Sequence, residues 1–214
     1  MVEAMVYVFR VACPWSDLMS HHGPWSSVYT RLRRWCRSGL WKNILDLVST
    51  DQTGELRHLD ATYIKVHQDA NSGGHHQTQA IGRTKGGLNT KISALADGQG
   101  RALQLAMAAG QRADVRAVAA IELPVAKRVV ADKGYDSDNF RREIVASGAT
   151  PCIPPKKNRV RPVAWHRGYY RKRHQVENFF PRLKRLRCVS TRYEKLSAHF
   201  LAFVQLAAIL DWLK

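Results

Sequence analysis

The stretch LRHLDATYIKVH, residues 56–67, decides the fold of this chain. Its apolar and polar residues alternate between flanking turn residues, which predicts a β-strand or a hairpin strand over Leu56–Val66. Asp60 lies inside this strand, although aspartate is depleted in strands. A buried carboxylate is costly unless it is paired or binds a metal ion. The stretch therefore predicts a sheet strand that carries an acid with a specific task.

Further strands and helices are predicted in alternation after this strand. LNTKISALAD (88–97) and GQGRALQLAMAAG (98–110) read as two strands joined by a turn over Asp97–Gly100. Next come a helix over 114–123, a short strand ending on Asp132, a helix that Ser137 or Asp138 caps and that ends at Gly148, and a strand over 149–155. This order predicts an α/β fold with a mixed sheet flanked by helices.

The N-terminal 50 residues are basic and have helical periodicity. SSVYTRLRRWCRSGLWKNILDLV (26–48) predicts two short helices around Ser38 and Gly39, with Arg31, Arg33 and Arg34 on the first. A helix-turn-helix that contacts DNA has this pattern, and so does an amphipathic helix pair with a solvated basic face. A polar turn over 49–55 predicts a boundary between this helical region, residues 1–50, and a second domain over residues 56–214.

The charge of the chain indicates its class of partner. The formal net charge is +17 and the sequence pI is about 10.2, which favours binding to nucleic acid. A basic surface without a specific partner, as in a ribosome-associated protein, is the simpler alternative. The four cysteines form no C-x-x-C pair, which argues against a zinc knuckle and is typical of reduced thiols. The apolar run at 200–210 is too short to span a bilayer, so we expect a cytoplasmic protein without membrane contact.

A second informative stretch is YYRKRHQVENFFPRLKRLR, residues 169–187. Residues 156–187 contain twelve Lys or Arg residues and a single acid, Glu177. On one continuous α-helix, Tyr170, Arg173, Glu177 and Lys184 would share a face. Pro181 is expected to kink or restart that helix before Lys184. A helical salt bridge between Glu177 and Arg173 is the simpler interpretation of the acid.

Three acids therefore stand out by their positions, namely Asp60, Asp132 and Glu177. Asp132 ends a predicted strand, where open α/β sheets tend to place ligand sites, although a role in the following turn is an alternative. Asp136 is the other acid of that segment, and we prefer Asp132 because it ends the strand. Three neighbouring carboxylates would repel one another, and hard divalent cations such as Mg²⁺ relieve that repulsion. Two such ions can support phosphodiester chemistry.

Five segments of the chain carry a family resemblance. They are GPWSSVYTRLRRWCRSGLW (23–41), LDATYIKVHQ (59–68), GRTKGGLNTKISALAD (82–97), VVADKGYDSD (129–138) and YYRKRHQVENFFPRLKRLRCVSTRYEK (169–195). In these segments the chain resembles the DDE transposases of bacterial insertion sequences, in particular the insertion-sequence-five group. The last segment matches the family signature Y-(2)-R-(3)-E-(6)-K at Tyr170, Arg173, Glu177 and Lys184.

The resemblance implies an RNase H-like catalytic core that holds two divalent ions, Mg²⁺ or Mn²⁺, on Asp60, Asp132 and Glu177. It implies cleavage of double-stranded DNA at the inverted-repeat ends of a mobile element. The freed 3′-hydroxyl would then attack target DNA, with the protein acting as a homo-oligomer, a dimer, on DNA. Residues expected to contact DNA are Tyr170, Arg173, Lys184, Arg31, Arg33 and Arg34. Tyr170 either positions DNA or packs beneath the site.

Two other functions stay open from the sequence. The chain begins in what resembles the middle of the family's N-terminal region, so recognition of the element ends is expected to be impaired. A DNA-binding remnant without catalysis is therefore one alternative. A metal-dependent nuclease of the same fold, without strand transfer, is the other. The sequence specifies neither the terminal repeats nor the target site.

Overall fold

A computed structural model describes residues 1–49, 54–71, 79–123, 126–161 and 163–214. The strands are β1 Leu56–Val66, β2 Gly82–Thr84, β3 Gly87–Ala96, β4 Ala102–Ala109, β5 Arg128–Ala131, β6 Thr150–Cys152 and β7 Thr191–Arg192. The helices are α1 Val2–Val11, α2 Trp25–Arg37, α3 Leu40–Val48, α4 Asp114–Ala117, α5 Asp138–Ala146, α6 Arg167–Arg171, α7 His174–Leu183, α8 Arg187–Ser190 and α9 Ser197–Trp212. The predicted boundary turn over 49–55 lies mostly outside the described residues.

The strands form a single mixed sheet in the part of the chain that the structure describes. β1 pairs with β3 in antiparallel orientation, and β3 pairs in the same way with β4 and β2. On its other side β1 runs parallel to β5, which runs parallel to β6, and the short β7 extends the β5 side. An antiparallel meander followed by parallel strands with helices between them confirms the predicted mixed α/β sheet.

The central strand β1 is covered at its start and opens near its middle. β5 pairs only with Leu56–Leu59, where both faces of β1 are buried, as is typical of parallel strands inside a sheet. β5 ends at Ala131, opposite Leu59, so the next residue of β1, Asp60, is half-buried. The early end of β5 thus places Asp60 at an opening between two strands.

Alternating side chains of the sheet supply two apolar clusters on opposite faces. Ile64 and Ile92 face a cluster with α1, α2, α3, α7 and α9. Leu59 and Leu95 face the other cluster, to which β5 and α5 contribute Val129 and Ile144. The sheet is therefore sandwiched between helices, and the N-terminal helices share their apolar cluster with α9.

Four predicted helices can be compared with the structure. The pair around Ser38 and Gly39 is confirmed as α2 and α3, and the Ser137 hydroxyl caps α5 by accepting from the Phe140 N–H at 3.2 Å. The helix predicted over 114–123 was wrong in length, because α4 ends at Ala117 and a turn follows.

The C-terminal helix α9 contributes to the core from several of its faces. Its buried residues include Phe200, Phe203, Leu206 and Ile209 and are not restricted to one helical face. Such burial is typical of a helix packed inside the protein. No described helix is both long enough and apolar enough to cross a membrane.

Gly100 in the turn between β3 and β4 fixes the distance between the sheet and α7. Its φ is +77°, and a Cβ at this position would lie 2.2 Å from the Gln175 carbonyl oxygen of α7. We predict that Gly100→Ala lowers the free energy of unfolding by about 2 kcal/mol or more, because it adds both backbone strain and a clash. Chemical denaturation measures this loss.

Gly98→Ala in the same turn is the matched control. A Cβ there would make only ordinary contacts, at 3.9 Å from Leu56. We expect its unfolding free energy to stay within about 0.5 kcal/mol of the wild type. Equal losses in the two variants would show that the close approach to α7 is not the cause.

Candidate active site

Asp60 is held by two hydrogen bonds in the opening of β1. Its Oδ1 accepts from the Ala61 N–H at 2.9 Å, and its Oδ2 accepts from the Arg173 guanidinium at 3.0 Å. Only 16% of the Asp60 side chain is exposed. The acid predicted from the strand pattern is therefore a largely buried carboxylate paired with a distant residue of the chain.

Arg173 joins two of the three predicted acids. One guanidinium nitrogen donates to Asp60 and the other donates to the Glu177 carboxylate on α7. The Glu177 side chain is 48% exposed, so its carboxylate faces the solvent side of this pair. The simple helical salt bridge expected for Glu177 is present, but the same guanidinium also contacts the acid of β1.

Asp132 lies beside Asp60 at the end of β5. It directly follows Ala131, whose partner in the sheet is Leu59. Its Oδ1 accepts from the Gly134 N–H at 2.8 Å, so the alternative turn role is also fulfilled. This turn fixes the orientation of the carboxylate at the strand end.

The pKa of Asp60 depends on its burial and on the charged groups around it. Burial raises the pKa of the Asp60 carboxyl from 3.8 to about 6. The Ala61 hydrogen bond and the Arg173 charge lower this pKa, whereas the charges of Asp132 and Glu177 raise it. The three acids are thus close enough to influence one another.

The basic run does not form one continuous helix, and its break lies before α7 instead of at Pro181. Tyr170 belongs to α6, Arg173 is the residue before α7, Glu177 lies in its first turn, and Lys184 follows its end. The chain tightens at the break, where the Arg173 N–H donates to the Tyr170 carbonyl three residues back. The restart expected at Pro181 is not found, because Pro181 lies inside α7, which continues to Leu183.

The other two residues of the signature, Lys184 and Tyr170, contact β1 and a small apolar cluster. The Lys184 ammonium donates to Thr62 Oγ1 at 2.8 Å and to the Tyr63 carbonyl at 3.2 Å, so it anchors the end of α7 to β1. Burial lowers the pKa of Lys184. The Tyr170 ring packs against the apolar cluster of Leu56, Val130 and Cys152 and lies 5.6 Å from the Arg173 guanidinium.

Asp136, the alternative acid of the Asp132 segment, is engaged elsewhere. Its carboxylate accepts from Arg141 and Arg159 at 2.8 Å each and from the Lys156 N–H at 2.9 Å. These bonds, above all the backbone bond from Lys156, hold its pKa below the ordinary value despite burial. Asp136 ties the 156–159 segment to α5, which is a structural task.

The arginines predicted to contact DNA at the N-terminus lie on α2. Arg31, Arg33 and Arg34 are exposed, while Val28 and Leu32 on the same helix are buried. Arg31 and Arg34 line a shallow depression of about 280 Å³ together with hydroxyl side chains, namely Ser26, Ser27 and Thr30. Guanidinium and hydroxyl donors on one exposed surface are suited to phosphate oxygens.

The donor set at the three acids suits a hard cation, since it consists of carboxylate oxygens. In the described ranges of the chain no three His, Cys, Asp or Glu side chains are arranged to hold a metal ion. Between Asp60 and Glu177 the Arg173 guanidinium provides the positive charge. The type of donor atom thus fits a divalent ion, but the arrangement in this structure is one in which the Arg173 guanidinium bridges two of the three carboxylates.

Two residues near Asp132 were missed in the sequence. Lys91 on β3 is 2% exposed, and its ammonium lies 2.6 Å from Asp114 at the start of α4. A lysine in the middle of an apolar strand is a usable signal, because lysine is almost never fully buried unless paired. Asp114 carries no such signal, because an acid at a helix start is ordinary.

Comparisons with known proteins identify the family of the chain. The family model described as Transposase DDE domain matches residues 51–212, and the model described as "Putative transposase of IS4/5 family" matches residues 1–45. A Brucella ovis protein named "Putative transposase for insertion sequence element IS6501" is 32% identical over 132 residues, which are 59% of this chain and 100% of that protein. No solved structure matches the chain.

A mixed sheet with an acid at the end of a parallel strand, in a chain of net charge +17, is consistent with the class of proteins that act on nucleic acid. Within that class the chain belongs to the DDE transposase domain family, because the family model covers most of its length. The resemblance carried by the five sequence segments is thereby confirmed. Transposases of this family act on DNA and generally use divalent metal ions.

The buried charge of Asp60 makes the stability of the metal-free protein depend on pH. The pKa of Asp60 in the folded protein, about 6, is above the ordinary 3.8. The free energy of unfolding therefore falls as the pH rises from about 4 to 6, because Asp60 ionises more readily in the unfolded chain. We predict that Asp60→Asn stabilises the protein at pH 7.5 by up to about 3 kcal/mol and has almost no effect at pH 4. Denaturation in EDTA at both pH values measures this difference.

Asp46→Asn serves as the control, because Asp46 is exposed and its ion pair with Lys42 lies on the surface of α3. We expect it to change stability little at either pH. A stabilisation by Asp60→Asn that is equal at pH 4 and pH 7.5 would contradict the raised pKa.

Proposed function

We propose that this transposase cleaves DNA strands at the ends of an insertion sequence and transfers them into target DNA, with Asp60, Asp132 and Glu177 as the catalytic triad. The observation that carries this proposal is the double ion pair of the Arg173 guanidinium with Asp60 and Glu177. This ion pair brings the two acids together beside the end of β5. Family membership and the acid order Asp, Asp, Glu along the chain support it.

The three carboxylates would hold two Mg²⁺ or Mn²⁺ ions. When bound, such ions activate an attacking oxygen and stabilise the leaving oxygen of a phosphodiester. Asp60, largely buried and fixed by two hydrogen bonds, would orient one side of the site, and Asp132 is fixed from the adjacent strand. Exposed Glu177 faces the direction from which DNA would approach.

The cations of the site have separate tasks in this proposal. Arg173 holds Asp60 and Glu177, which would also bind the metal ions, and its planar guanidinium would suit a contact with a DNA phosphate. Lys184 holds α7 on β1, and its ammonium is within reach of a phosphate that lies along the strand. Tyr170 packs beneath Arg173, which agrees with the second of its two expected roles.

The remaining proposals concern the fold and the DNA. The catalytic region, residues 56–214, would have an RNase H-like fold, which the meander and the two parallel strands support. The helical region of residues 1–50, with Arg31, Arg33 and Arg34, would contact double-stranded DNA as a helix-turn-helix. Two element ends must meet, so a dimer on DNA in the cytoplasm is the expected working form.

The triad assignment is tested by nicking of a labelled duplex that carries the flanking inverted repeat. We predict that Asp60→Asn, Asp132→Asn and Glu177→Gln each reduce Mg²⁺-dependent nicking by at least about a hundred-fold, because each removes a charged oxygen ligand. DNA binding, measured by gel shift, should stay within about three-fold of the wild type, since the triad does not supply the phosphate contacts.

Asp46→Asn is again the control and should nick at the wild-type rate. Nicking that persists in EDTA, or in any of the three triad variants, would contradict the assignment. Nicking without strand-transfer products would favour a nuclease of the same fold. Binding without nicking by the wild type would favour a DNA-binding remnant.

The DNA contact of α2 is tested by the salt dependence of binding. Replacing Arg31, Arg33 and Arg34 together by Gln should reduce the slope of log affinity against log salt by about one for each lost phosphate contact. Nicking at saturating DNA should persist, because these arginines lie on α2 and the triad lies on β1, β5 and α7.

Arg142→Gln on the exposed side of α5 is the control, since it removes one exposed arginine charge from another helix and should leave the salt slope unchanged. An unchanged salt slope in the triple variant would show that α2 presents a solvated basic face and no DNA contact.

A further inference from the structure

An ion pair with a buried ammonium and a half-buried carboxylate lies behind the turn that carries Asp132. The Lys91 ammonium donates to Asp114 Oδ1 at 2.6 Å and to the Arg112 carbonyl at 2.5 Å. Lys91 is 2% exposed, and removing an ammonium from water to this extent is costly unless a counter-charge is present. Asp114 supplies that counter-charge, so the two residues form one unit that joins β3 to the start of α4.

The second oxygen of Asp114 contacts the Asp132 turn through Gly134. A Cβ on Gly134 would lie 2.7 Å from Asp114 Oδ2 and 2.9 Å from Asp132 Oδ1. The glycine is therefore enclosed by two carboxylates, with Asp114 on one side and Asp132 on the other. Asp132 also accepts the Gly134 N–H, so a shift of the glycine would move the Asp132 carboxylate.

The neighbouring Tyr135 is buried close to the same carboxylates. It is 1% exposed, and burial raises the pKa of its hydroxyl, with the charges of Asp114, Asp60 and Asp132 adding to this effect. Asp114 is thus part of the same electrostatic environment as two acids of the proposed triad. It reaches that environment from α4, behind the turn.

We propose that Asp114, neutralised and held by buried Lys91, is a positioning residue that fixes the Gly134 turn and thereby the Asp132 carboxylate. This inference rests on the proposed function, in which Asp132 binds a divalent ion. The Lys91 ammonium is essential to this positioning role, because an unpaired Asp114 would add a repelling charge beside Asp132. Asp114 itself is assigned no contact with substrate or metal.

The first test compares Asp114→Ala with the wild-type full chain by Mn²⁺ titration in the absence of DNA. We expect metal affinity to fall about ten-fold, as is common when a group that orients a metal ligand is removed. The Mg²⁺ concentration for half-maximal nicking should rise by a similar factor, while the nicking rate at saturating Mg²⁺ stays within a few-fold.

Asp211→Asn is the control, because the Asp211 carboxylate of α9 also forms an ion pair, with Arg182. It should lower stability without changing Mn²⁺ affinity. If Asp114→Ala lowers only the free energy of unfolding and leaves Mn²⁺ affinity and the Mg²⁺ requirement unchanged, the role is structural and the proposal is overturned.

A double-mutant cycle with Gly134→Ala separates positioning from loss of fold. Gly134→Ala alone should weaken Mn²⁺ binding, because the added Cβ clashes with both carboxylates. Asp114→Ala removes one of the two clashes, so the double variant should bind Mn²⁺ more tightly than the product of the single effects predicts. Strictly multiplicative effects would overturn the coupling through Gly134.

The Mn²⁺ titration requires neither DNA nor catalysis. It therefore distinguishes a failure of the proposed function from a failure of the positioning role of Asp114. If the wild type binds Mn²⁺ but does not nick DNA, the proposed function is contradicted. Weaker Mn²⁺ binding by Asp114→Ala would in that case still support the positioning role. A wild type that binds no Mn²⁺ at the site would overturn the positioning role itself.

Discussion

The interaction on which the site depends is the double contact of the Arg173 guanidinium with Asp60 and Glu177. Asp60 is poorly hydrated, and its pKa stays raised at about 6 even with this cation beside it. Its neighbours Asp132 and Glu177 add repulsion. Arg173 supplies positive charge at the place where these carboxylates would otherwise oppose one another, and it connects α7 to the central strand.

A second constraint, the length of β5, decides where that interaction can form. β5 pairs with β1 only as far as Leu59 and then gives way to the Asp132 turn. A longer β5 would bury Asp60 between two strands, and a shorter one would expose the apolar residues before it. The carboxyl end of a parallel strand is where open α/β sheets leave a crevice, so the acids follow from the topology.

Much of this arrangement could be predicted from local patterns. The alternation in β1, the turn at Asp97–Gly100 and the Ser137 cap are local properties, and each is found in the structure. The break before α7 could not be predicted, because it accompanies a contact between Arg173 and Asp60, which are distant in the sequence. The Lys91–Asp114 pair was missed for the same reason, since it depends on tertiary packing.

Charge balance explains why a strongly basic chain keeps these acids and why they need different partners. With Asp60, Asp132 and Glu177 ionised, one guanidinium leaves two negative charges at the site, the amount that a single divalent ion neutralises. A second ion would bring excess positive charge, which a DNA phosphate would balance. Asp114 would disturb this balance if it were unpaired, and the buried ammonium of Lys91 cancels its charge locally. A guanidinium suits the central position because its planar fork can bind two carboxylates at once, whereas an ammonium such as Lys184 acts as a point charge.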